Sequence, residues 1–443
     1  MAATVDLDLF WQLSSADDKV RSNAAVVLTE ALQKVQAEHN VTHVNAKSAD
    51  SDSDELNPDG DLCDDLVYTI KRLVRGLASS REGARHGFSL ALTLALRTFP
   101  VMRAKPVFAL ILELLQVKAE SKQEEKECGF GRLFGCMALF QSGRLQFSKE
   151  ESARAESEGS CEQVLCWKVM EELLRLMKSK SFMAEAATHS LILIMKAVPK
   201  ELFRKHFAPF LRSQWKGTAM SDMGPEMLDL MLNTDMRCVD TCPSYVQPRN
   251  IKQLVEPLKF STSAHPRIHH VWESLIFVLT REESKGEEQL VSMWKVIVED
   301  ALVESSHERK YLAFLLFRRL LPCLSAAKMP ELLSPRFRRS LINNLSNKKA
   351  LLNGVARSAA EGMLEVAQAN PLGAAELLCD IVRENGNFDR VTRTRTVAGL
   401  FEALDGAGAQ KYLAFLLRRV ADASAAAAAK EGEEGEEGEE GEE

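Results

Sequence analysis

The side chains in this sequence best suited to chemistry are basic. Arg72, Arg75, Arg81 and Arg85 lie close together, with Lys71 beside them. A guanidinium grips a phosphate or carboxylate through paired N–H donors, and spacings of three or four residues put Arg72 with Arg75, and Arg81 with Arg85, on shared helix faces. Two readings stand side by side here: contact with a ligand, or pairing with acids of an adjacent helix. A denser run spans residues 307–357, where eleven Lys and Arg face only Glu308 and Glu331, a local excess of nine positive charges. Its binding candidates are Arg309, Lys310, Arg318, Arg319, Arg336, Arg338, Arg339, Lys348 and Lys349, with Lys328 and Arg357 completing the count. Arg393 and Arg395, close to Arg390, extend the set. Such a stripe would neutralise phosphates and release counterions, the main source of nonspecific affinity for nucleic acid. Ordinary solvated helix faces also carry Lys and Arg, and no aromatic stacking pattern or groove-reading motif accompanies these residues. Nucleic acid or an acidic partner protein therefore competes with a plain solvated surface as the explanation.

Other chemistries fit less well. Cys238, Cys242, His265 and His269 give C-x3-C-x22-H-x3-H. The central gap is far longer than in a zinc finger, and Pro243, Pro248 and Pro266 interrupt it, so buried thiols and helix-capping histidines are the better reading. His265, Arg267 and Trp272 read as a structural corner, with Pro266 starting a helix whose Trp272 and Leu275 pack inward. Gly129, Gly131 and Gly135 miss the dinucleotide and phosphate-loop spacings and lack the Lys-Ser/Thr pair, which favours close helix packing. Two-metal catalysis needs carboxylates converging on a rigid scaffold, whereas the Asp-rich run 50–65 is polar and broken by Pro58 and Gly60. No catalytic residue, metal ligand or cofactor is expected.

The elements that carry these residues read as helices. Val20, Ala24, Val27, Leu28, Ala31, Leu32 and Val35 recur with helical spacing, as do Val67, Ile70, Leu73, Val74 and Leu77, and Leu290, Met293, Trp294, Ile297, Val298, Ala301 and Leu302. Ser79 with Glu82, Thr280 with Glu283, and Ser305 with Glu308 form S/T-x-x-E capping boxes. Period-two runs are nearly absent, so the chain is expected to be all-α, with roughly sixteen to nineteen helices of ordinary length. So many helices with short polar connectors favour stacked pairs, an irregular α-solenoid of HEAT or armadillo type, with a compact multi-helical domain as the alternative. No fixed repeat period supports a regular array. The expected organisation is a helical start at 1–38, an acidic disordered insertion at 39–65, helical repeats at 66–147, a polar linker at 148–160, helical repeats again at 161–425, and a disordered Ala then Glu/Gly tail at 426–443.

The 443 residues carry a formal charge of −7, but unevenly. Residues 1–65 hold fourteen acids against four bases, residues 431–443 hold nine Glu and no base, and residues 66–430 are left at +12. A basic body between acidic ends suggests an anionic partner, and the acidic end would compete for the 307–357 stripe. With 46% hydrophobic residues wholesale disorder is excluded, and no apolar stretch approaches the roughly 18–20 residues of a membrane span. The N-terminus, with Asp6 and Asp8 before Phe10, lacks the layout of an export signal. Nine cysteines scattered through apolar segments fit reduced thiols in a cytosolic or nuclear protein.

Six blocks in order resemble the Myb-binding protein 1A family, which includes the proteins called DNA polymerase V or phi. They are FWQLSSADDKVRSNAA at Phe10, RLVRGLASSREGARHGFSLAL at Arg72, GRLFGCMALFQSGRL at Gly131, HPRIHHVW at His265, MWKVIVEDALVESSHERKYLAF at Met293, and FDRVTRTRTVAGL at Phe388. The resemblance implies a nuclear, nucleolar helical-repeat protein, a non-enzymatic scaffold and transcription regulator for rRNA genes and ribosome biogenesis, with nucleolar and transcription proteins, and ribosomal DNA or RNA, as partners. Members of that family are typically longer, with an acidic segment and then a basic tail, so any nucleolar targeting carried by that tail is not implied for this sequence.

Overall fold

The fold is known from a computed structural model, which describes residues 5–42, 55–57, 60–117, 121–145, 165–239, 243–261, 267–281 and 286–436, with the backbone alone at 42 and 426–436. The linker expected at 148–160, most of the acidic insertion, and residues 437–443 lie outside the described residues.

Helix α2 (Asp18–Thr42) follows a five-residue helix, α1 (Asp8–Gln12). Its buried face differs from the one its apolar spacing predicts. Ala24, Leu28 and Leu32 are buried, but Val20 and Val27 are each 39% exposed, and the face turns instead toward Arg21, Ala25, Thr29 and Gln36. The cause is polar. Arg21 donates to the carbonyls of Ser15 and Ala16 at 2.7 and 2.9 Å, while Gln36 donates to the carbonyl of Asp61 at 2.7 Å and accepts from the N–H of Cys63 at 2.9 Å. Backbone groups that packing would leave unpaired thereby find partners, which outweighs burying two valines.

The chain clusters into two compact units, residues 1–216 with 233–238, and residues 217–232 with 239–443. In the first, α3 (Asp64–Gly76), α4 (Glu82–Thr98), α5 (Ala104–Leu114), α6 (Lys122–Gln141), α7 (Leu165–Ser179) and α8 (Ser181–Ala197) follow α2. α2 packs on α4, α3 on α4 and α5, α4 and α5 on α6, and α6 on α7 and α8. Each helix thus meets those one or two places along, the pattern of stacked helical pairs. Two of the glycines illustrate the close approaches. A Cβ on Gly87 would overlap the carbonyl oxygen of Leu13, and one on Gly131 would sit 2.9 Å from Leu115 and 3.2 Å from the backbone of Ala78. The unit continues through α9 (Lys200–Leu202), a π-helical segment Phe203–Phe207, and α10 (Ala208–Ser213).

Helix α11 (Pro225–Cys238) spans the division. The second unit then holds α12 (Val255–Lys259), α13 (His270–Thr280), α14 (Gly286–Met293) running into a π-helical segment Trp294–Leu302, α15 (His307–Leu320), α16 (Pro335–Ser346), α17 (Asn353–Ala369), α18 (Pro371–Glu384), α19 (Phe388–Thr392), α20 (Thr396–Glu402) and α21 (Gly406–Glu436). Its stacking repeats the same rule: α15 and α16 pack on α17, α17 on α18 and α20, and α18 on α20 and α21. At its centre Trp294, Phe314, Phe317 and Phe337 are fully buried, with the Trp294 and Phe337 rings 5.0 Å apart edge to face and the Trp294 Nε1–H donating to Ser334 at 3.0 Å.

The protein is all-α, with twenty-one α-helical segments and no strand among the described residues. The excess over the expected number comes from short pieces such as Lys200–Leu202 and Phe388–Thr392, where π and tight turns break longer helices. Capping differs in register. Ser306, not Ser305, caps α15 by accepting from the N–H of Arg309, and α4 begins at Glu82 with Ser79 accepting from Arg81 N–H before it. Thr280 closes α13, and its proposed partner Glu283 lies outside the described residues. Helix α21 continues through Ala425–Ala429 to Glu436 where a solvated tail was expected to begin at 426, because alanine has the highest intrinsic helix propensity. Among the described residues no helix is long and apolar enough to cross a membrane, and the cysteines that are described are all unpaired thiols.

Candidate nucleic-acid and partner interface

The arginines of the first block divide by burial. On α3 the Arg72 guanidinium lies 4.1 Å over the Phe10 ring and donates to the Tyr68 hydroxyl at 3.0 Å. On α4 Arg85 donates to the Ser79 carbonyl at 2.8 Å and lies over Phe130. Both are half-buried and serve to hold α3 and α4 against their neighbours. Arg75 and Arg81 are exposed and form no ion pair among the described residues.

The 307–357 run does not form a continuous basic stripe. Arg318 on α15 pairs with Glu365 on α17 at 2.7 Å and donates to Ser358 at 2.6 Å. Arg319 forms two bonds to Glu273 on α13, at 2.8 and 2.7 Å, and this pairing raises its already high pKa. Arg336 on α16 pairs with Asp300 in the π segment at 2.6 Å, with Glu304 at 3.6 Å. Arg338 pairs with Asp380 on α18 at 2.5 Å, and Lys328 with Glu331 at 2.8 Å. Arg309 turns onto the Lys259 carbonyl and the Ser305 hydroxyl. The four arginine pairs join α13 to α15, α15 to α17, the π segment to α16, and α16 to α18. They are cross-links between elements of the stack. The Arg338–Asp380 pair is the most enclosed; burial pushes the Asp380 carboxyl above its ordinary 3.8, and the Arg338 charge opposes that rise.

α16 is set in place by a second carboxylate. Glu299, buried in the π segment, accepts from the N–H groups of Arg336 and Phe337 at 2.7 and 3.0 Å and from the Ser334 hydroxyl, so it caps the start of that helix from another element.

Several of the cations, paired and unpaired, line two clefts. One, about 240 Å³, is lined by His307, Lys310, Arg336, Arg339 and Asn343, with Glu304 on its edge. The other, about 350 Å³, is lined by Arg357, Arg393 and Arg395 with Glu361, over Ala360 and Leu364. Lys348 and Lys349 are exposed between α16 and α17. Sequence reasoning selected Arg393 and Arg395 but not Arg357 as their companion, since only the packing of α17 against α20 brings residues 357 and 395 together. It also missed the acids that neutralise the run, which lie 36 to 47 residues away; the one available signal was that a helix-pair repeat places partners at about that separation.

No group of three or more His, Cys, Asp or Glu suited to a metal occurs among the described residues. His269 accepts from the Val271 N–H at 3.1 Å as the N-cap of α13, which begins at His270 rather than at Pro266, and Trp272 and Leu275 are fully buried. Cys242 and His265 lie outside the described residues. Gly129, Gly131 and Gly135 face Met183, Leu115 and Ile111 across helix contacts.

Comparison with known proteins agrees with the ordered blocks. The chain is 23% identical over 444 residues to the rDNA transcriptional regulator pol5 of Schizosaccharomyces pombe, covering 95% of this chain and 42% of that protein. It is 24% identical to the rDNA transcriptional regulator POL5 of Saccharomyces cerevisiae, covering 90% of this chain and 43% of that protein, and 27% identical to Myb-binding protein 1A of Rattus norvegicus, covering 72% and 21%. The chain thus spans less than half the length of these relatives. A family model described as DNA polymerase phi matches residues 68–442, and the chain therefore belongs to the DNA polymerase phi family.

Proposed function

We propose that this chain is a nuclear, nucleolar scaffold that regulates rRNA gene transcription and ribosome biogenesis by holding transcription and nucleolar proteins, without catalysis of its own. Its relatives are named as a regulator of ribosomal DNA transcription and as a Myb-binding protein. The observation that favours a scaffold over direct DNA or RNA binding is the pairing of Arg318, Arg319, Lys328, Arg336 and Arg338 with acids. These are five of the eleven bases in residues 307–357, and a cation already paired gains little by exchanging a carboxylate for a phosphate.

A salt titration of binding to ribosomal DNA and to an arbitrary duplex tests the reading. If all eleven bases met phosphates, the slope of log K against log salt would approach about −10; with the pairs intact it should be no steeper than about −5, and equal for both duplexes. A steep slope with preference for ribosomal DNA, lost when Lys348 and Lys349 are changed together to Glu, would establish the nucleic-acid reading instead. Magnesium-dependent nucleotide incorporation by the purified chain would overturn the non-enzymatic part.

A further inference from the structure

The turn between α19 and α20 carries a conformational cost with no local return. Arg393, with φ 55° and ψ 40°, is the one non-glycine residue of positive φ among the described residues. A left-handed residue after a helix is ordinarily glycine or asparagine, because a Cβ there is disfavoured. Arg393 is exposed, and its side chain makes no ion pair or hydrogen bond among the described residues.

The surrounding turn is held firmly. The Asp389 carboxylate accepts from the N–H groups of Val397 and Ala398 at 2.9 and 3.0 Å and from the Thr394 hydroxyl at 3.3 Å. The hydroxyls of Thr392 and Thr396 bond to that of Thr394 at 2.8 and 3.0 Å. A costly backbone conformation fixed from several sides is a reason to ask what the residue is held for. What this one does is set Arg393 on the wall of the 350 Å³ cleft with Arg357 and Arg395. The Arg357 Nε–H donates to Asn353 one turn earlier on α17 at 3.2 Å. Arg395 reaches Glu402 at 2.9 Å with its side chain 82% exposed, an ion pair weak enough to be exchanged for a better partner.

Three arginines lining one cleft match a phosphate monoester, which carries nearly two charges and three strong acceptor oxygens. We propose that this cleft binds a phosphorylated serine or threonine in a segment of a partner protein. A nucleic-acid backbone fits less well. Its charges follow closely one after another, and here Glu361 on the wall and Glu402 beside Arg395 would repel the next phosphates. A phosphopeptide concentrates its charge at one residue, and Ala360 and Leu364 in the lining offer apolar contact for a neighbouring side chain.

The inference rests on the scaffold reading only in taking the partner to be a protein, and its test is independent of ribosomal DNA. The full chain would be titrated with three fluorescent probes: a degenerate peptide pool with a fixed phosphothreonine, the same pool with threonine, and a single-stranded DNA oligonucleotide. Binding of the phosphothreonine pool alone is expected, weakened at least about tenfold by Arg357→Gln and by Arg393→Gly. Arg393→Gly should leave the melting temperature equal or higher, because glycine relieves the left-handed backbone, so lost binding could not be put down to lost folding. Equal binding of the two peptide pools, unchanged affinity of Arg393→Gly, or preferential binding of the oligonucleotide would each overturn the proposal. Failure of the scaffold reading, shown by sequence-selective DNA binding elsewhere on the chain, would leave the phosphopeptide result standing.

Discussion

A positive charge in this chain means different things according to what lies opposite it. Arg338 and Asp380 are 14% and 12% exposed, so each is the main compensation for the other's burial. Changing Arg338 to Met should destabilise the protein by about 3 kcal/mol, much of it the cost of leaving Asp380 charged and unpaired. The pH dependence of that loss has a definite sign. Burial already raises the Asp380 pKa in the folded state, and removing its cation raises it further. An acid with a raised folded pKa binds its proton more tightly folded than unfolded, so the destabilisation should shrink as pH falls through the folded value toward 3.8. Urea midpoints of the wild type and Arg338→Met measured from pH 8 to pH 4 check this, and a pH-independent gap would refute it. The example shows why the binding candidates were only partly legible. The sequence displays Arg336, Arg338 and Arg339 as near neighbours, yet Arg336 and Arg338 face acids on different elements and Arg339 lines a cleft. Short-range spacing says which residues share a face, but not what faces them across a gap of some forty residues.

At the level of helices, apolar spacing was a good guide where packing alone decides the face. Ile70, Leu73, Val74 and Leu77 are all fully buried, as are Met293, Trp294, Ile297, Val298 and Leu302. It misjudged α2, where Arg21 and Gln36 make backbone contacts that no hydropathy pattern encodes. Caps differ by a residue or two, with Ser306 rather than Ser305 capping α15, and α16, for which the sequence offers no capping box, takes its cap from Glu299 on another element. Glycine contacts set the separation of the elements. In Gly87→Ala the added methyl would meet the Leu13 carbonyl oxygen, which cannot rotate away as a side chain would, and a loss of about 1–3 kcal/mol is expected. Gly354→Ala, in open space at the start of α17, should be neutral or stabilise by a few tenths of a kcal/mol. Thermal unfolding of the two variants distinguishes them, and equal shifts would show that close approach of α4 to the α1 end is not what Gly87 provides.

Across the whole chain, the formal charge of −7 conceals a basic body, and within residues 307–357 of that body four arginines are spent on joining helical elements to each other. Within each unit, helices stacked in this way depend on contacts between neighbours. The consequence is clearest at the N-terminal end. The described contacts that hold α1 and α2 in place are non-covalent, among them Phe10 under Arg72, Leu13 against Gly87, α2 packed on α4, and Gln36 bonded to the backbone at Asp61 and Cys63. The first two helices are in effect a ligand that the rest of the chain binds. Residues 1–47 and 48–443 produced as separate polypeptides should therefore reassemble and co-elute as one species, with the short fragment gaining helical circular dichroism on mixing. Arg72→Ala should weaken that association, and fragments that pass each other without binding would show that the peptide connection is indispensable.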